Sequence, residues 1–270
     1  MLISVIVSTY DWPEALNAVL YGLSKQTDDN FEVVVADDGS DERTAAIIKA
    51  ARVRPIHVWR PHDGFRLAEI RNRAILASHG EYCIFLDGDC IPRKNYVAAH
   101  RRLAEPGYFV QGDRLMVHKK LTERILAKGL SPGEWSYLTW WPHRLRKHVS
   151  KLRPLITLPL GPLRKRVEQT GERALGCNQA FWRKDLDRVD GFDATFVGHG
   201  WEDSDILARM LHAGVGRKKG RYATGVIHLY HDSAQANRRL FEDTVATARI
   251  RARSGLSALQ SAKGASLIEA

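Results

Sequence analysis

The sequence of 270 residues has only three cysteines, and it has no apolar run of the roughly 20 residues that a membrane-spanning helix requires. We therefore expect no transmembrane segment. Cys83, Cys90 and Cys177 lack the spacing of a metal site and are odd in number, which predicts reduced thiols without chemistry in a cytoplasmic protein. Residues 1–8 have neither the basic stretch nor the cleavage site of a signal peptide, so they are interpreted as a first strand.

The sequence also has fewer acidic than basic residues, with 31 Asp and Glu against 41 Lys and Arg, which gives a net charge of +10. This excess favours polyanionic partners such as nucleotides, nucleic acids or an anionic membrane surface. Between positions 135 and 167 acidic residues are absent, and aromatic residues precede basic ones: Trp135, Tyr137, Trp140, Trp141, Arg144, Arg146, Lys147, Lys151, Arg153, Arg164, Lys165 and Arg166. The prolines at positions 142, 154, 159 and 162 argue against one long helix here, so residues 114–170 are interpreted as an insert.

The first hundred residues alternate between strand and helix patterns. Residues 3–8, 31–36, 56–59 and 82–86 are β-branched or apolar runs, and residues 13–26, 44–51 and 68–77 have helical periodicity. Apolar strands separated by helices predict an α/β fold with a mostly parallel central sheet flanked by helices. Ligands bind such sheets at the carboxyl ends of the strands.

Acidic residues occur at these predicted strand ends. Asp87 and Asp89 follow an apolar strand and are separated only by Gly88. In an extended segment, side chains at i and i+2 lie on the same side, so the two carboxylates are expected to converge and to need a cation between them. A divalent metal shared with a phosphate group is the usual solution, and the sequence therefore predicts a metal–nucleotide site.

Later segments contain further motifs. Glycine and acidic residues cluster at positions 191–193 and 198–205, and residues 226–231 form a short strand pattern that ends in histidines. Residues 234–253 have the pattern of a basic amphipathic helix, followed by a small, polar tail. We divide the chain into residues 1–113, 114–170, 171–233 and 234–270.

Several of these motifs together resemble the nucleotide-sugar domain of family 2 glycosyltransferases with the GT-A fold: Ser8-Thr9-Tyr10, residues 35–40, Arg71-Asn72-Arg73-Ala74 and residues 85–89. Residues 191–193 and 200–205 are similar to the galactosyltransferase-type segment of related enzymes, which also occurs in chondroitin-type polymerases. The resemblance covers residues 1–113 and 171–231. It implies that 1–113 is the nucleotide-sugar half of the domain and 171–233 the acceptor and catalytic half.

The resemblance also implies roles for the donor and metal residues. It implies that a UDP-sugar is bound, near its nucleotide, by Thr9, Tyr10, Asp38, Arg71, Asn72, Asp87 and Gly88. Asp38 would contact the uracil, and Asp37 is the second candidate for that contact. The metal, Mn²⁺ or Mg²⁺, would be held by Asp89, with Asp87 at the ribose or the metal. A histidine would complete the metal site, and both His228 and His231 are candidates.

For catalysis the resemblance assigns Asp203 as the base and places Glu202 against the donor or acceptor sugar. The chemistry agrees, since transfer from a nucleoside diphosphate sugar needs a neutralised leaving group and a base for the acceptor hydroxyl. A single base opposite the diphosphate suits inversion. An alternative is that Ser204, Asp203 or Asp205 only caps the helix that follows.

The resemblance implies a metal-dependent inverting transferase that moves a sugar of the Gal, GalNAc, Glc or GlcNAc type to a glycan or lipid-linked acceptor in bacterial surface polysaccharide or lipopolysaccharide synthesis. For the insert at 114–170 three interpretations stay open: a solvated face, an acceptor cap, or a surface that contacts an anionic membrane. The expected location is therefore cytoplasmic, with or without contact at the inner face of the membrane.

Two other classes of protein are considered. The basic charge suggests a nucleic-acid-binding protein, but the acidic strand ends would repel phosphates, so we expect no nucleic-acid partner. A nucleotidyltransferase on a similar sheet would need a glycine-rich basic loop after the first strand, where this chain has Ser8-Thr9-Tyr10-Asp11.

Overall fold

The computed structural model describes residues 1–166, 174–198, 200–232 and 239–268. The predicted alternation of strands and helices in the first hundred residues is confirmed. The elements there are β1 (Ile3–Thr9), α1 (Pro13–Leu23), β2 (Phe31–Asp37), α2 (Glu42–Ala50), β3 (Ile56–Trp59), α3 (Leu67–Ala77), β4 (Tyr82–Asp87), β5 (Cys90–Pro92) and α4 (Tyr96–Leu103).

The remaining described residues add short strands and helices, joined by three one-turn 3₁₀ helices near residues 132, 153 and 161. They form β6 (Tyr108–Gln111), β7 (Asp113–Met116), α5 (Lys119–Lys128), α6 (Tyr137–Leu145), β8 (Lys165–Arg166), β9 (Asn178–Trp182), α7 (Arg183–Val189), α8 (Glu202–His212), β10 (Gly216–Lys219), β11 (Gly225–His228), α9 (Arg239–Ala246) and α10 (Leu256–Ile268).

The main sheet has the strand order β3-β2-β1-β4-β9-β6-β10-β8. Its first four strands are parallel, with Thr9 level with Asp37 and Ser8 level with Asp87, so the predicted acidic strand ends do meet at one edge. The next strand, β9, lies antiparallel between β4 and β6. A smaller sheet, ordered β5-β11-β7, lies at the same end of β4 because β5 follows it after only two residues.

The two faces of the main sheet carry separate apolar cores, because side chains alternate along each strand. Ile3, Val5 and Val7 pack with α1, α5 and α6 on one face. Ile6 packs on the other face with α3, α7 and α8. This arrangement confirms the predicted α/β architecture with helices on both sides.

The segment from residue 114 to 166 is anchored to this framework by a few buried residues. Trp140 of α6 is fully buried in the first core, and Val149 bridges Val117 directly after β7. Its first residues belong to β7 and its last described ones to β8, so it contributes strands to both sheets. Residues 167–173, which contain the boundary predicted at 170, lie outside the described residues, and the four-part division stays a prediction.

The carboxyl-terminal segment differs from the single helix predicted for residues 234–253. Residues 234–238 lie outside the described residues, α9 ends at Ala246, and α10 begins ten residues later. The intervening chain is held by buried acids: the backbone N–H and the guanidinium of Arg253 both donate to Asp193 Oδ2, and Leu256 N donates to Asp190 O. These long-range contacts outweigh the local helical pattern.

Within the described ranges, the helices are too short or too polar to cross a membrane.

Candidate active site

An open cleft of about 300 Å³ lies at the carboxyl ends of β1, β2 and β4. It is lined by Ser8, Thr9, Tyr10, Trp12, Asp38, Phe65, Leu67, Asp87, Gly88, Asp89 and His231. Gly88 is required by the close packing of this edge, since a Cβ there would lie 2.8 Å from Ser8 O. Seven of the residues predicted to bind the donor or the metal therefore line one cleft: Thr9, Tyr10, Asp38, Asp87, Gly88, Asp89 and His231.

The two aspartates after β2 have different surroundings. Asp37 is fully buried, and its carboxylate accepts hydrogen bonds from the backbone N–H of Ser40 and from His57 Nε2. Asp38 faces the cleft and accepts from Arg60 Nη1 at 2.6 Å and from the backbone N–H of Arg66 at 2.8 Å. Asp37 thus stabilises the turn, and Asp38 is the one of the two that lines the cleft.

At the outer rim of the cleft, the ring of Tyr10 stacks on His62 with centroids 4.5 Å apart and an interplanar angle of 18°. The Tyr10 side chain is 45% exposed. His62 in turn bonds the backbone oxygen of Asp38 through Nδ1. This pair offers a flat aromatic surface directly beside the Asp38 carboxylate.

Arg71 connects the acids of the site. Its guanidinium is fully buried, and it donates to Asp203 Oδ1 at 2.7 Å, to Asp87 Oδ1 at 3.0 Å and to Ser8 Oγ at 3.2 Å. Glu202 Oε1 lies 3.8 Å from the same guanidinium. One cation thus joins the end of β4 to the start of α8, which are more than one hundred positions apart in the sequence.

Glu202 and Asp203 occupy the first turn of α8, whose N-cap residue is Trp201 with a φ of 73°. Since Asp203 bonds Arg71 and Asp205 bonds Arg209 and Thr244, these two carboxylates are not used as caps. The predicted helix-capping alternative is therefore wrong for them. The preceding segment is adapted to Asp203 as well, because a Cβ at Gly176 would lie 1.6 Å from its Oδ2.

The two adjacent carboxyls differ in their electrostatic environment. Burial, with the neighbouring Asp203 carboxylate, raises the pKa of Glu202 to about 8. Burial also raises the pKa of Asp203, but the Arg71 guanidinium opposes this shift. Glu202 is 3% exposed, and its Oε2 finds no hydrogen-bond partner within the described part of the chain. Burial thus favours the protonated form of Glu202, whereas Arg71 favours the ionised form of Asp203.

Asp89 lies opposite two histidines. Its Oδ2 is 3.3 Å from His231 Nε2 and 3.7 Å from His228 Nε2, and the three side chains offer ligand atoms within 4.8 Å of one another. The other oxygen of Asp89, Oδ1, is buried and has no hydrogen-bond partner among the described residues. An oxygen and two imidazole nitrogens at this spacing fit a divalent transition metal, and the orphaned oxygen supports that fit.

Asp87 and Asp89 both line the cleft but have different partners, because Asp87 ends β4 and pairs with Arg71, whereas Asp89 lies in the turn before β5 and faces the histidines. Their convergence on one cation stays a prediction. One expectation about a neighbouring residue is not met. Asn72 does not reach the cleft. It is fully buried, donates to Phe192 O and accepts from Phe192 N, and so holds the turn at residues 191–193.

Sequence reasoning missed Arg60, His62 and Arg114. Arg60 is 6% exposed and pairs with Asp38, and Arg114 Nη1 lies 3.6 Å from Cys177 Sγ. An arginine in a basic chain carries no signal of its own, so the one indication of such a partner is the carboxylate of Asp38 at the end of an apolar strand, because a buried charge is usually paired. His199, within the motif at 198–205, lies outside the described residues.

Comparison with solved structures identifies the fold. S. aureus TarS (residues 1–349) in complex with UDP-GlcNAc matches 94% of this chain and 68% of its own with a TM-score of 0.62 at 17% identity. The mannosyltransferase PcManGT from Pyrobaculum calidifontis, in complex with GDP-Man and Mn²⁺, matches 92% of this chain and 68% of its own with a TM-score of 0.56 at 17% identity. At such identities the likeness shows the fold, which is the predicted GT-A fold of glycosyltransferases.

Two family models cover nearly all of the described core. The model for glycosyl transferase family 2 matches residues 4–162, and the model described as the N-terminal domain of galactosyltransferase matches residues 164–232. The chain therefore belongs to glycosyltransferase family 2, as predicted. This assignment favours the predicted activity over a nucleic-acid-binding protein or a nucleotidyltransferase.

Among curated proteins, the chain is similar to validoxylamine A glucosyltransferase of Streptomyces hygroscopicus subsp. jinggangensis, with 26% identity over 255 residues. The match covers 87% of this chain and 57% of that enzyme, so the chain spans little more than half the length of this relative.

Proposed function

We propose that the protein is a metal-dependent, inverting transferase that uses a UDP-sugar as donor. Three features of the cleft support this proposal. Asp89 and His231 line it and cluster with His228, the Tyr10 ring lies at its rim, and Asp87 in its lining is joined through Arg71 to Asp203. Two structural neighbours were solved with a nucleoside diphosphate sugar, UDP-GlcNAc in TarS and GDP-Man in PcManGT, which supports the donor class.

The metal would be held by Asp89, His228 and His231. Their donor set of one carboxylate and two imidazoles suits Mn²⁺ better than Mg²⁺, because Mg²⁺ prefers oxygen ligands throughout. When bound, such an ion supplies positive charge to the leaving diphosphate. PcManGT was solved with Mn²⁺, which supports this choice. Asp87 would contribute to the donor site through its pairing with Arg71 rather than as a direct metal ligand.

The nucleoside would lie against the Tyr10 and His62 rings, with the uracil N–H donating to Asp38. Both oxygens of Asp38 already accept one hydrogen bond each, but a carboxylate oxygen can accept two. The Arg60 guanidinium pairs with one oxygen of the Asp38 carboxylate, so Asp38 keeps acceptor capacity for the uracil. Asp37, which is buried in its turn, becomes the weaker candidate for this contact.

Asp203 is proposed as the base for the acceptor hydroxyl. A base must be unprotonated, and the pKa of about 8 leaves Glu202 largely protonated at neutral pH, whereas Arg71 favours the ionised form of Asp203. Glu202 in its protonated form can donate a hydrogen bond to a sugar oxygen. The roles of the two carboxyls would therefore be complementary, with Glu202 orienting and Asp203 accepting the proton.

The proposed donor is tested by a nucleotide-release assay on the full chain. We expect slow hydrolysis of one UDP-sugar of the Gal, GalNAc, Glc or GlcNAc type, dependent on Mn²⁺ and abolished by a chelator. GDP-mannose serves as the control donor. Release of GDP rather than UDP, or equal rates with and without chelator, would contradict the donor or the metal assignment.

We propose that the acceptor is a lipid-linked or surface glycan and that the protein binds it at an anionic membrane. Helix α6 would contact that membrane. Four apolar side chains of this helix fall within an arc of about 100° and are exposed: Tyr137 by 42%, Leu138 by 80%, Trp141 by 50% and Leu145 by 69%. The basic residues Arg144, Arg146 and Lys147 follow. Aromatic and leucine side chains beside cations are the composition of helices that lie in a membrane interface.

A double substitution tests this surface. Replacing Leu138 and Trp141 by glutamate should weaken binding to anionic phospholipid vesicles at least tenfold, since each buried apolar side chain contributes about 1.5–3 kcal/mol. Ile250→Glu is the matched control, because Ile250 is also exposed and lies between two arginines. Vesicle co-sedimentation measures the effect. Unchanged binding by the double variant would leave the face solvated or in contact with the glycan alone.

A further inference from the structure

Directly behind the Asp-His-His cluster, two thiols converge on the same histidine. The Sγ atoms of Cys90 and Cys177 and a ring nitrogen of His228 all lie within 4.8 Å of one another, and all three residues are buried. The fold brings them together through backbone pairing. Cys90 lies opposite His228 in the register of β5 and β11, and Cys177 O accepts from the backbone N–H of Asp87 at the end of β4.

The two thiols have no part in the proposed transfer reaction, yet together with His228 they have the chemistry of metal ligands. His228 Nδ1 bonds Leu229 O, which leaves the lone pair of Nε2 for a ligand. The Arg114 guanidinium lies beside Cys177 Sγ, and the thiolate is the form of cysteine that binds metals. Two sulfurs and one imidazole nitrogen match the ligand preferences of zinc and related ions.

We propose that Cys90, Cys177 and His228 form a binding site for a thiophilic divalent cation such as Zn²⁺ or Cd²⁺. The site shares His228 with Asp89 and His231, so an ion held by the two thiolates competes with the catalytic ion for that ligand. A soft ion bound here would therefore inhibit the Mn²⁺-dependent reaction. This inhibitory consequence rests on the proposed function, whereas binding of the soft ion does not.

The charges of the two thiolates explain why the Cys90–Cys177–His228 site would select a thiophilic dication. Two thiolates and one dication are neutral together, so the complex avoids the cost of an isolated buried charge, and two protons are released on binding. Mn²⁺ and Mg²⁺ favour oxygen ligands and would therefore bind at Asp89 rather than at the two thiolates.

The third cysteine of the chain, Cys83, provides a control for substitutions of Cys90 and Cys177. Metal-free full-length protein, kept reduced with a non-chelating phosphine, is titrated with Cd²⁺ while the ultraviolet thiolate-to-cadmium charge-transfer band and the released protons are recorded. We expect one high-affinity ion per chain. Cys90→Ser and Cys177→Ser should each weaken it by more than about tenfold. Cys83→Ser should not change it, because Cys83 lies buried in the opposite core.

A second comparison separates this site from the proposed catalytic one. Asp89→Ala should keep the Cd²⁺ band, even if the protein has no measurable transferase activity. Absence of the band in the wild type, or its persistence in both Cys90→Ser and Cys177→Ser, would overturn the proposal. If a serine variant does not fold, cadmium NMR of the wild type decides, since a shift typical of oxygen and nitrogen ligands alone would also overturn it.

Discussion

Replacing Asp203 by asparagine should reduce sugar transfer by about 10²- to 10⁴-fold while UDP binding stays close to that of the wild type. Asparagine keeps an oxygen that can accept from Arg71, so the contact at 2.7 Å and the start of α8 are preserved. What it removes is the ability to accept a proton. Steady-state rates with an accepted donor, together with calorimetric titration of UDP, measure both quantities.

The matched control for this variant is Glu202→Gln. Because the pKa of Glu202 is about 8, its carboxyl is mostly protonated at neutral pH, and glutamine imitates that form. The loss should therefore be much smaller than for Asp203→Asn. The wild-type rate should also fall with decreasing pH as Asp203 becomes protonated, from a pKa raised above that of an ordinary aspartate. A larger loss for Glu202→Gln would instead identify Glu202 as the base.

Asp89→Ala should abolish Mn²⁺-dependent UDP binding and, with it, activity. This carboxylate is the single anionic ligand of the proposed metal cluster, and its removal leaves two imidazoles that bind a hard dication poorly. An affinity loss of more than about 100-fold is expected, since even outer contacts of a metal site are worth 10- to 100-fold. Fluorescence or calorimetric titration of UDP at saturating Mn²⁺ measures it.

Asp29→Ala is the control for the loss of one negative charge, because Asp29 is exposed. It should bind UDP and Mn²⁺ like the wild type. Retention of both metal-dependent binding and activity by Asp89→Ala would remove the metal assignment. Loss of UDP binding without Mn²⁺ as well would point to a disturbed fold rather than to a missing ligand.

The amino-terminal half and the position of the site could be predicted from the sequence because both depend on local patterns. Runs such as 31–36 are apolar on both faces, and the polar residues that interrupt them mark strand ends. Thr9, Asp38 and Asp87 line one cleft for that reason. The parallel register of β1, β2 and β4 aligns the three ends.

The remaining features depend on contacts between distant segments. The antiparallel insertion of β9 next to β4 and the division of the carboxyl-terminal segment by Arg253 and Asp193 leave no periodic signal. Asn72 shows the same limit. Its type and position suggested a ligand contact, but the turn at Phe192 satisfies both of its polar groups. Whether a buried amide serves a substrate or the backbone is decided by what packs against it.

The buried guanidinium of Arg71 has a consequence for the energetics of turnover. It is rigidly held between Asp87, at the donor end of the cleft, and Asp203, at the start of α8. With the proposed roles of these two acids, the donor side and the base are aligned before substrate binds, which leaves little reorganisation for the transition state. We therefore expect the rate to depend on this preorganised set of charges more than on closure around the substrate.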